Sequence, residues 1–251
     1  MSTKNELNKP TIVEEALSTD TVLCRSLVSE GYLTEQQMQQ AARRYRLGRS
    51  KDGGVIFWEI DETQQIRDGK IMFYHDDCHR DHDRHPDWVS SRLKAHYGYD
   101  GDLPVDRCLF GLHLLPLLSS CVPLVASGKA EREGQGWSDP PPIAIVESEK
   151  TAVICSELFP QAVWLASGGL SMLNVAKLYP LRDYKVVLFP DTDPEGKAFQ
   201  SWRSIALTAQ EHFKYPIRVS RLLEDHASSS QKSRKIDLVD FLFETNPPNL
   251  P

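Results

Sequence analysis

The sequence lacks any long apolar run and any recognisable export signal. No stretch approaches the roughly 18 apolar residues that a membrane-spanning helix needs. Residues 1–15 carry no apolar core of the kind that secretory signals have. We therefore expect a soluble cytoplasmic protein without a membrane partner.

Cysteine is scarce and scattered, and positive charge is not in excess. The five cysteines form no CxxC pair, which excludes a zinc ribbon and a disulfide framework. They are Cys24, Cys78, Cys108, Cys121 and Cys155. The net charge of −6 argues against a strongly basic wrapper of nucleic acid. It leaves room for a local basic groove, because binding follows the charge of the contact face.

Changes in composition along the chain predict several segments. Helical periodicity dominates the beginning, β-branched and aromatic runs follow, and a polar stretch rich in Gly and Pro indicates a linker. The predicted segments are an N-terminal helical segment (1–50), a mixed α/β subdomain (51–126), a linker (127–142), an α/β domain (143–224) and a flexible tail with a short helix (225–251).

Apolar strands alternate with helices from residue 143 onward. This alternation predicts a parallel sheet with right-handed crossovers. The predicted strands are Ile143–Glu147, Ala162–Ala166, Lys185–Phe189 and Ile217–Leu223. The predicted helices between them cover 149–159, 171–181 and 194–213, residues 225–235 are predicted to be a polar loop, and 236–243 a short helix.

Acidic residues follow two of these strands. Glu147 ends the first strand, and Asp191 and Asp193 follow the third. If the two strands are neighbours, the carboxylates meet in one small volume, where a divalent cation would relieve their repulsion. Asp193 has a second interpretation, because Asp193-Pro194-Glu195 is also a typical helix start. The residues alone leave both interpretations open.

Two features upstream are predicted to be polar loops. Residues 61–69 end in Asp68-Gly69, which indicates a hairpin turn. Residues 75–85 contain four His, a Cys and four Asp, the side chains that bind transition metals. Their spacing matches no metal motif and no apolar scaffold surrounds them, so a solvated loop is the preferred interpretation and its role stays open.

The segment from Glu147 to Gly196 resembles the toprim domain of primases, topoisomerases and related nucleases. Glu147 and Asp191-Thr192-Asp193 match the family's glutamate and DxD motifs, and Gly196 its turn residue. Glu147–Ala152 is similar to the EGxETA variant of phage and plasmid primases, with Ser148 in place of Gly; Pro190 before the DxD is a second departure.

The resemblance extends upstream to the catalytic core of DnaG-type primases. Phe57–Asp61 with Gly69–Ile71 is similar to the hairpin of their smaller subdomain, and Leu109–Leu112 to their LYGL element. The nearest resemblance is to primase-like proteins of Bacteroidetes and their mobile elements. It implies an α/β toprim fold, preceded by a mixed α+β subdomain and the N-terminal helical segment.

The function implied by this resemblance is Mg²⁺- or Mn²⁺-dependent RNA primer synthesis in replication or transfer of a mobile element. Glu147, Asp191 and Asp193 would hold the metal, and Glu147 would also act in proton transfer. The implied partners are single-stranded DNA template, nucleoside triphosphates, and a helicase or mobilisation protein. Phosphate contacts would come from Lys70, Arg80, Lys94, Lys150 and Lys197. The alternatives are a toprim nuclease and a non-catalytic nucleic-acid-binding module.

Overall fold

The computed structural model describes residues 13–14, 16–97, 106–116 and 140–245. The chain divides into two compact units, residues 1–110 with 249–251, and residues 111–248. Of the predicted linker, 127–142, residues 127–139 lie outside the described residues.

The first unit begins with two capped helices, α1 (Val22–Ser29) and α2 (Glu35–Tyr45). The Thr21 hydroxyl accepts a hydrogen bond from the backbone N–H of Cys24 at the start of α1. Thr34 and Gln37 form a reciprocal capping box at the start of α2. Short polar side chains placed before apolar-periodic runs therefore fix where both helices begin.

An antiparallel sheet forms the centre of the first unit, with strand order β1-β2-β3-β4. Helix α3 follows directly after the last strand. The elements are β1 (Gly48–Arg49), β2 (Val55–Ile60), β3 (Ile66–Met72), β4 (Asp87–Trp88) and α3 (Val89–Tyr97).

The predicted hairpin is present, but its turn is not at Asp68-Gly69. The chain reverses at residues 61–65, where the Asp61 carboxylate accepts hydrogen bonds from the N–H groups of Thr63 and Gln65. Gly69 lies within β3, paired with Trp58 of β2. The sequence pattern was misleading because this glycine is required for close packing rather than for a turn.

Replacing Gly69 with Ala should destabilise the first unit by about 1–3 kcal/mol, the usual cost of overpacking a core. An added Cβ would lie 2.8 Å from Trp58 Cε3 and 2.9 Å from Ile56 Cγ2. Chemical denaturation would measure the loss. Gln65→Ala, at an exposed position of the same hairpin, serves as the control and should change stability by less than about 0.5 kcal/mol. Equal stability of Gly69→Ala and wild type would contradict the packing explanation.

The second unit contains the predicted parallel sheet, with strand order β6-β5-β7-β8. The strands are β5 (Ile143–Val146), β6 (Val163–Ala166), β7 (Val186–Phe189) and β8 (Arg218–Val219). The helices are α4 (Glu149–Leu158), α5 (Val175–Leu178), α6 (Lys197–Ala209), α7 (Leu222–His226), α8 (Ser229–Arg234) and α9 (Leu238–Thr245). The mixed α/β architecture expected from the sequence is confirmed.

The order of the strands places a topological switch point between β5 and β7. The chain leaves β5 toward β6 on one side and leaves β7 toward β8 on the other. Since right-handed crossovers run in opposite directions, α4 and α6 cover opposite faces of the sheet. Ligands of open α/β sheets bind at such a point, beyond the carboxyl ends of the strands.

Three predicted elements of the second unit differ from the structure. The helix expected over 171–181 is broken into short 3₁₀ and α pieces, because Asn174 caps a new helix and accepts a hydrogen bond from the Lys177 N–H. The loop expected over 225–235 contains the end of α7 and the whole of α8, which begins with a Ser228–Gln231 capping box. The last strand is β8 alone, shorter than expected.

Among the residues that the structure describes, no helix has the length and hydropathy needed to cross a membrane.

Candidate functional site

Glu147 and Asp191 meet at the switch point of the parallel sheet. Glu147 directly follows β5, and Asp191 follows β7 after Pro190. The two strands are hydrogen-bonded neighbours in parallel register, with Val146 beside Phe189. The backbone N–H of Asp191 donates to Oε1 of Glu147 across a distance of 3.2 Å. The convergence of these two acids, expected from their positions after apolar strands, is therefore present in the structure.

Both carboxyl groups are held where ionisation is unfavourable. Burial is the main cause that raises the pKa of Glu147 to about 7; the charges of Asp193 and Asp237 act in the same direction, and the Asp191 N–H opposes them. Burial likewise raises the pKa of Asp191 well above its usual range. The negative charges of Glu147, Asp237 and Asp240 reinforce that shift, and Lys150 opposes it. The neighbouring acidic side chains therefore place a negative electrostatic potential at both carboxyl groups.

Asp193 lies two residues from Asp191, and its pKa is shifted in the opposite direction. Its Oδ1 accepts a hydrogen bond from the Glu195 N–H at 2.9 Å, and its Oδ2 accepts one from the Ala198 N–H at 2.8 Å. Burial opposes ionisation of Asp193, but hydrogen bonds from the N–H groups of Ala198, Lys197 and Glu195 together lower its pKa. Both oxygens therefore hold the turn that leads into α6, but the helix begins at Lys197 with Gly196 at the N-cap, so Asp193 is not the N-cap residue that the sequence suggests. Its role as a metal ligand stays a prediction.

Asp237 is a member of this acidic cluster that the candidate residues from the sequence did not include. The Thr192 N–H donates to the Ile236 carbonyl, which brings the start of α9 beside the residues that follow β7. Asp237 is buried, and its carboxylate accepts hydrogen bonds from the Thr151 hydroxyl and the Asp240 N–H. Its charge raises the pKa of both Glu147 and Asp191. The capping pattern Asp237–Asp240 was visible in the sequence, but the contact with Thr151 was not.

The donor set at the switch point fits a divalent cation held by few protein ligands. Within the described part of the chain, no three His, Cys, Asp or Glu side chains are gathered closely enough to hold a metal on their own. Mg²⁺ commonly binds through one or two carboxylates and completes its shell with water and substrate phosphates. Glu147 and Asp191 supply two adjacent carboxylates with unfavourable mutual repulsion, which a cation would remove.

The five basic residues predicted to contact phosphate are divided between the two units. Lys70 is buried on β3, Arg80 pairs with Tyr74 in a short bridge, and Lys94 lies on α3, all in the first unit. The other two, Lys150 and Lys197, lie in the second unit at the starts of α4 and α6. Lys150 favours ionisation of Asp191, and Lys197 is exposed and paired with Glu195. Their phosphate contacts stay predictions.

The His- and Asp-rich segment 75–85 forms a hydrogen-bonded turn. The His75 N–H donates to the His79 carbonyl, and Cys78 adopts a left-handed conformation with its side chain buried. Arg84 stacks on the Phe73 ring, 3.3 Å from its centroid, and also pairs with Asp52. No three metal-binding side chains of this segment come together.

A parallel sheet with an acidic cluster at its switch point defines the second unit as an α/β domain with a candidate metal site. The chain belongs to the family described as a domain of unknown function (DUF6371), whose model matches residues 22–130 and 137–192. The matched residues include Glu147 and Asp191, whereas Asp193 and Asp237 lie beyond them.

No curated protein matches the chain. Among solved structures, the primase fragment of the bacteriophage T7 primase-helicase protein is a structural neighbour, with a TM-score of 0.41 and 17% sequence identity. The alignment covers 81% of this chain and 64% of that fragment, so the chain spans less than two thirds of its length.

Proposed function

We propose that this protein is a primase-like enzyme that binds Mg²⁺ or Mn²⁺ and performs nucleotidyl transfer, making RNA primers on a single-stranded DNA template. The observation that supports the proposal is the pairing of Glu147 and Asp191 at the carboxyl edge of neighbouring parallel strands. The resemblance of Glu147 and the Asp191-Thr192-Asp193 segment to toprim motifs supplies the reaction class.

Each acidic residue has a distinct role in this proposal. Asp191 and Glu147 hold the cation, while Asp237 adds negative potential from the start of α9. Asp193 accepts hydrogen bonds from the turn into α6, and its charge adds to the negative potential at Glu147. A bound divalent cation would neutralise substrate phosphates and favour ionisation of the attacking hydroxyl.

Glu147 is also suited to accept a proton. In the metal-free site the pKa of this carboxyl group is about 7, so it exists in both forms near neutral pH. A bound cation would lower this pKa and favour the charged form, which is the form that accepts a proton. Its Oε1 already accepts the Asp191 N–H, which fixes the orientation of the carboxyl group. Oε2 is therefore the oxygen that we expect to take the proton of the attacking hydroxyl.

Primer synthesis can be tested directly with the purified chain. We expect labelled RNA products when single-stranded DNA template, nucleoside triphosphates and Mg²⁺ are all present, and none when EDTA replaces the metal. A parallel incubation with labelled DNA and Mg²⁺ but no nucleotides tests the nuclease alternative. DNA cutting without RNA synthesis would support the nuclease, and binding of DNA with neither reaction would support the non-catalytic module.

A further inference from the structure

A groove runs between α6 and β8 in the second unit, apart from the acidic cluster. Its volume is about 360 Å³. One wall is a single stripe along α6 and the residue that follows it, at positions four, seven, eight and eleven after Phe199. The other wall is formed by alternate residues around β8. Its lining includes Phe199, Arg203, Leu207, Ile217, Val219 and Arg221.

The floor of the groove is aliphatic and open to solvent. Leu207 is 67% exposed, the largest exposed fraction among the large apolar side chains that the structure describes. Ile217 and Val219 are only partly buried, although they lie beside a sheet. Gln210 closes one end of the groove, because its side chain accepts the Ile217 N–H and donates to the Tyr215 carbonyl. The groove is therefore held in shape by the protein itself.

Two guanidinium groups border this floor. Arg203 is exposed and makes no ion pair with the residues that the structure describes. Arg221 lies over the Phe199 ring, 5.4 Å from its centroid, and pairs with Asp225. A bound segment that carries carboxylates beside apolar side chains would complement both the guanidinium groups and the aliphatic lining of the groove.

The strand beside the groove has a free edge. In the described residues β8 is the terminal strand of the sheet and pairs only with β7. An exposed edge offers backbone donors and acceptors to an added strand. An extended peptide on this edge would project alternate side chains toward the groove.

We propose that the groove between α6 and β8 receives an extended acidic segment of a partner protein, with aliphatic side chains on the floor and carboxylates beside Arg203 and Arg221. Single-stranded nucleic acid fits less well, since bases stack on aromatic faces and the only aromatic lining residue, Phe199, already has Arg221 over its ring. A second copy of the chain also fits poorly, because two-fold pairing of the groove with itself would bring the guanidinium groups together.

The test uses fluorescence anisotropy with three labelled probes on the full chain. The probes are a peptide that repeats Leu-Ser-Asp-Ser, which puts leucine and aspartate on the same face of an extended strand, the same peptide with lysine in place of aspartate, and an oligothymidine strand. We expect the aspartate peptide to bind saturably, with at least about tenfold weaker binding to Leu207→Asp and to Arg203→Glu. Arg203→Glu should in addition improve binding of the lysine peptide.

Matched variants separate this proposal from a folding defect and from the proposed enzyme activity. Thr208→Asp changes the neighbouring exposed position of α6 outside the groove, and Asp191→Asn changes the acidic cluster; both should bind the aspartate peptide as wild type does. Lack of binding by wild type, equal binding by Leu207→Asp, equal affinity for the lysine peptide, or competition by oligothymidine would each overturn the proposal.

Discussion

Asp191→Asn and Glu147→Gln should each reduce metal-dependent primer synthesis by at least about 100-fold. Loss of a group that only orients a metal ligand already costs about 10–100-fold, and these residues are proposed to bind the cation directly. Each substitution keeps the shape of the side chain and removes its charge. Single-turnover incorporation of labelled nucleotide, at saturating Mg²⁺, measures the loss.

The matched control is Asp183→Asn, an exposed acid of the same unit that pairs only with its neighbour Arg182 in the described structure. We expect its activity to equal that of wild type. Retention of more than about a tenth of the wild-type rate by Asp191→Asn would contradict direct metal binding by this residue.

In the absence of metal, the contribution of Glu147 to stability should fall as the pH rises from about 4.5 to about 7. The folded protein keeps the Glu147 proton up to about pH 7, whereas the unfolded chain releases it near pH 4.5. The stabilisation from the Glu147 proton is fully present below about pH 4.5, the pKa in the unfolded chain. It is lost as the pH rises through about 7, the pKa in the folded protein. Since one pKa unit corresponds to about 1.4 kcal/mol, the loss from Glu147 is about 3 kcal/mol.

The pH effect is measured as the difference in unfolding free energy between wild type and Glu147→Gln in EDTA. This difference isolates Glu147 from acids such as Asp52 and Asp193, whose lowered pKa values act in the opposite direction. Glu147→Gln should be the more stable protein near pH 8 and lose that advantage below about pH 4.5. Parallel stability curves for the two proteins across this range would contradict the raised pKa.

The placement of Glu147 and Asp191 was predictable from the sequence because it depends on local patterns. Both residues follow short apolar strands, and parallel strands bring their carboxyl ends to one edge. The hydrogen bonds that Asp193 accepts are equally local, since they come from backbone groups only two and five residues away, although α6 itself begins at Lys197, later than the sequence predicts. Such features depend on strand periodicity and cap chemistry, which a single sequence records.

Features that depend on distant contacts were not predictable in the same way. Asp237 joins the cluster through Thr151, a hydrogen-bond partner 86 residues away in sequence. Gly69 resembles a turn residue, but its position opposite Trp58 follows from the register of β2 and β3. The helix α8 was missed although Ser228 and Gln231 form a recognisable capping box, because the surrounding polar composition favoured a loop.

The most direct test of the metal site is a calorimetric titration of Mg²⁺ into the metal-free protein near pH 8, above the raised pKa of Glu147. Wild type should show saturable binding, and Asp191→Asn should show none. Asp193→Asn should report whether Asp193 also contacts the cation, with the free energy of unfolding measured alongside, because the amide oxygen can accept only one of the two backbone hydrogen bonds that the carboxylate accepts. Absence of saturable heat in wild type, or the same heat in wild type and Asp191→Asn, would contradict a metal site at the switch point.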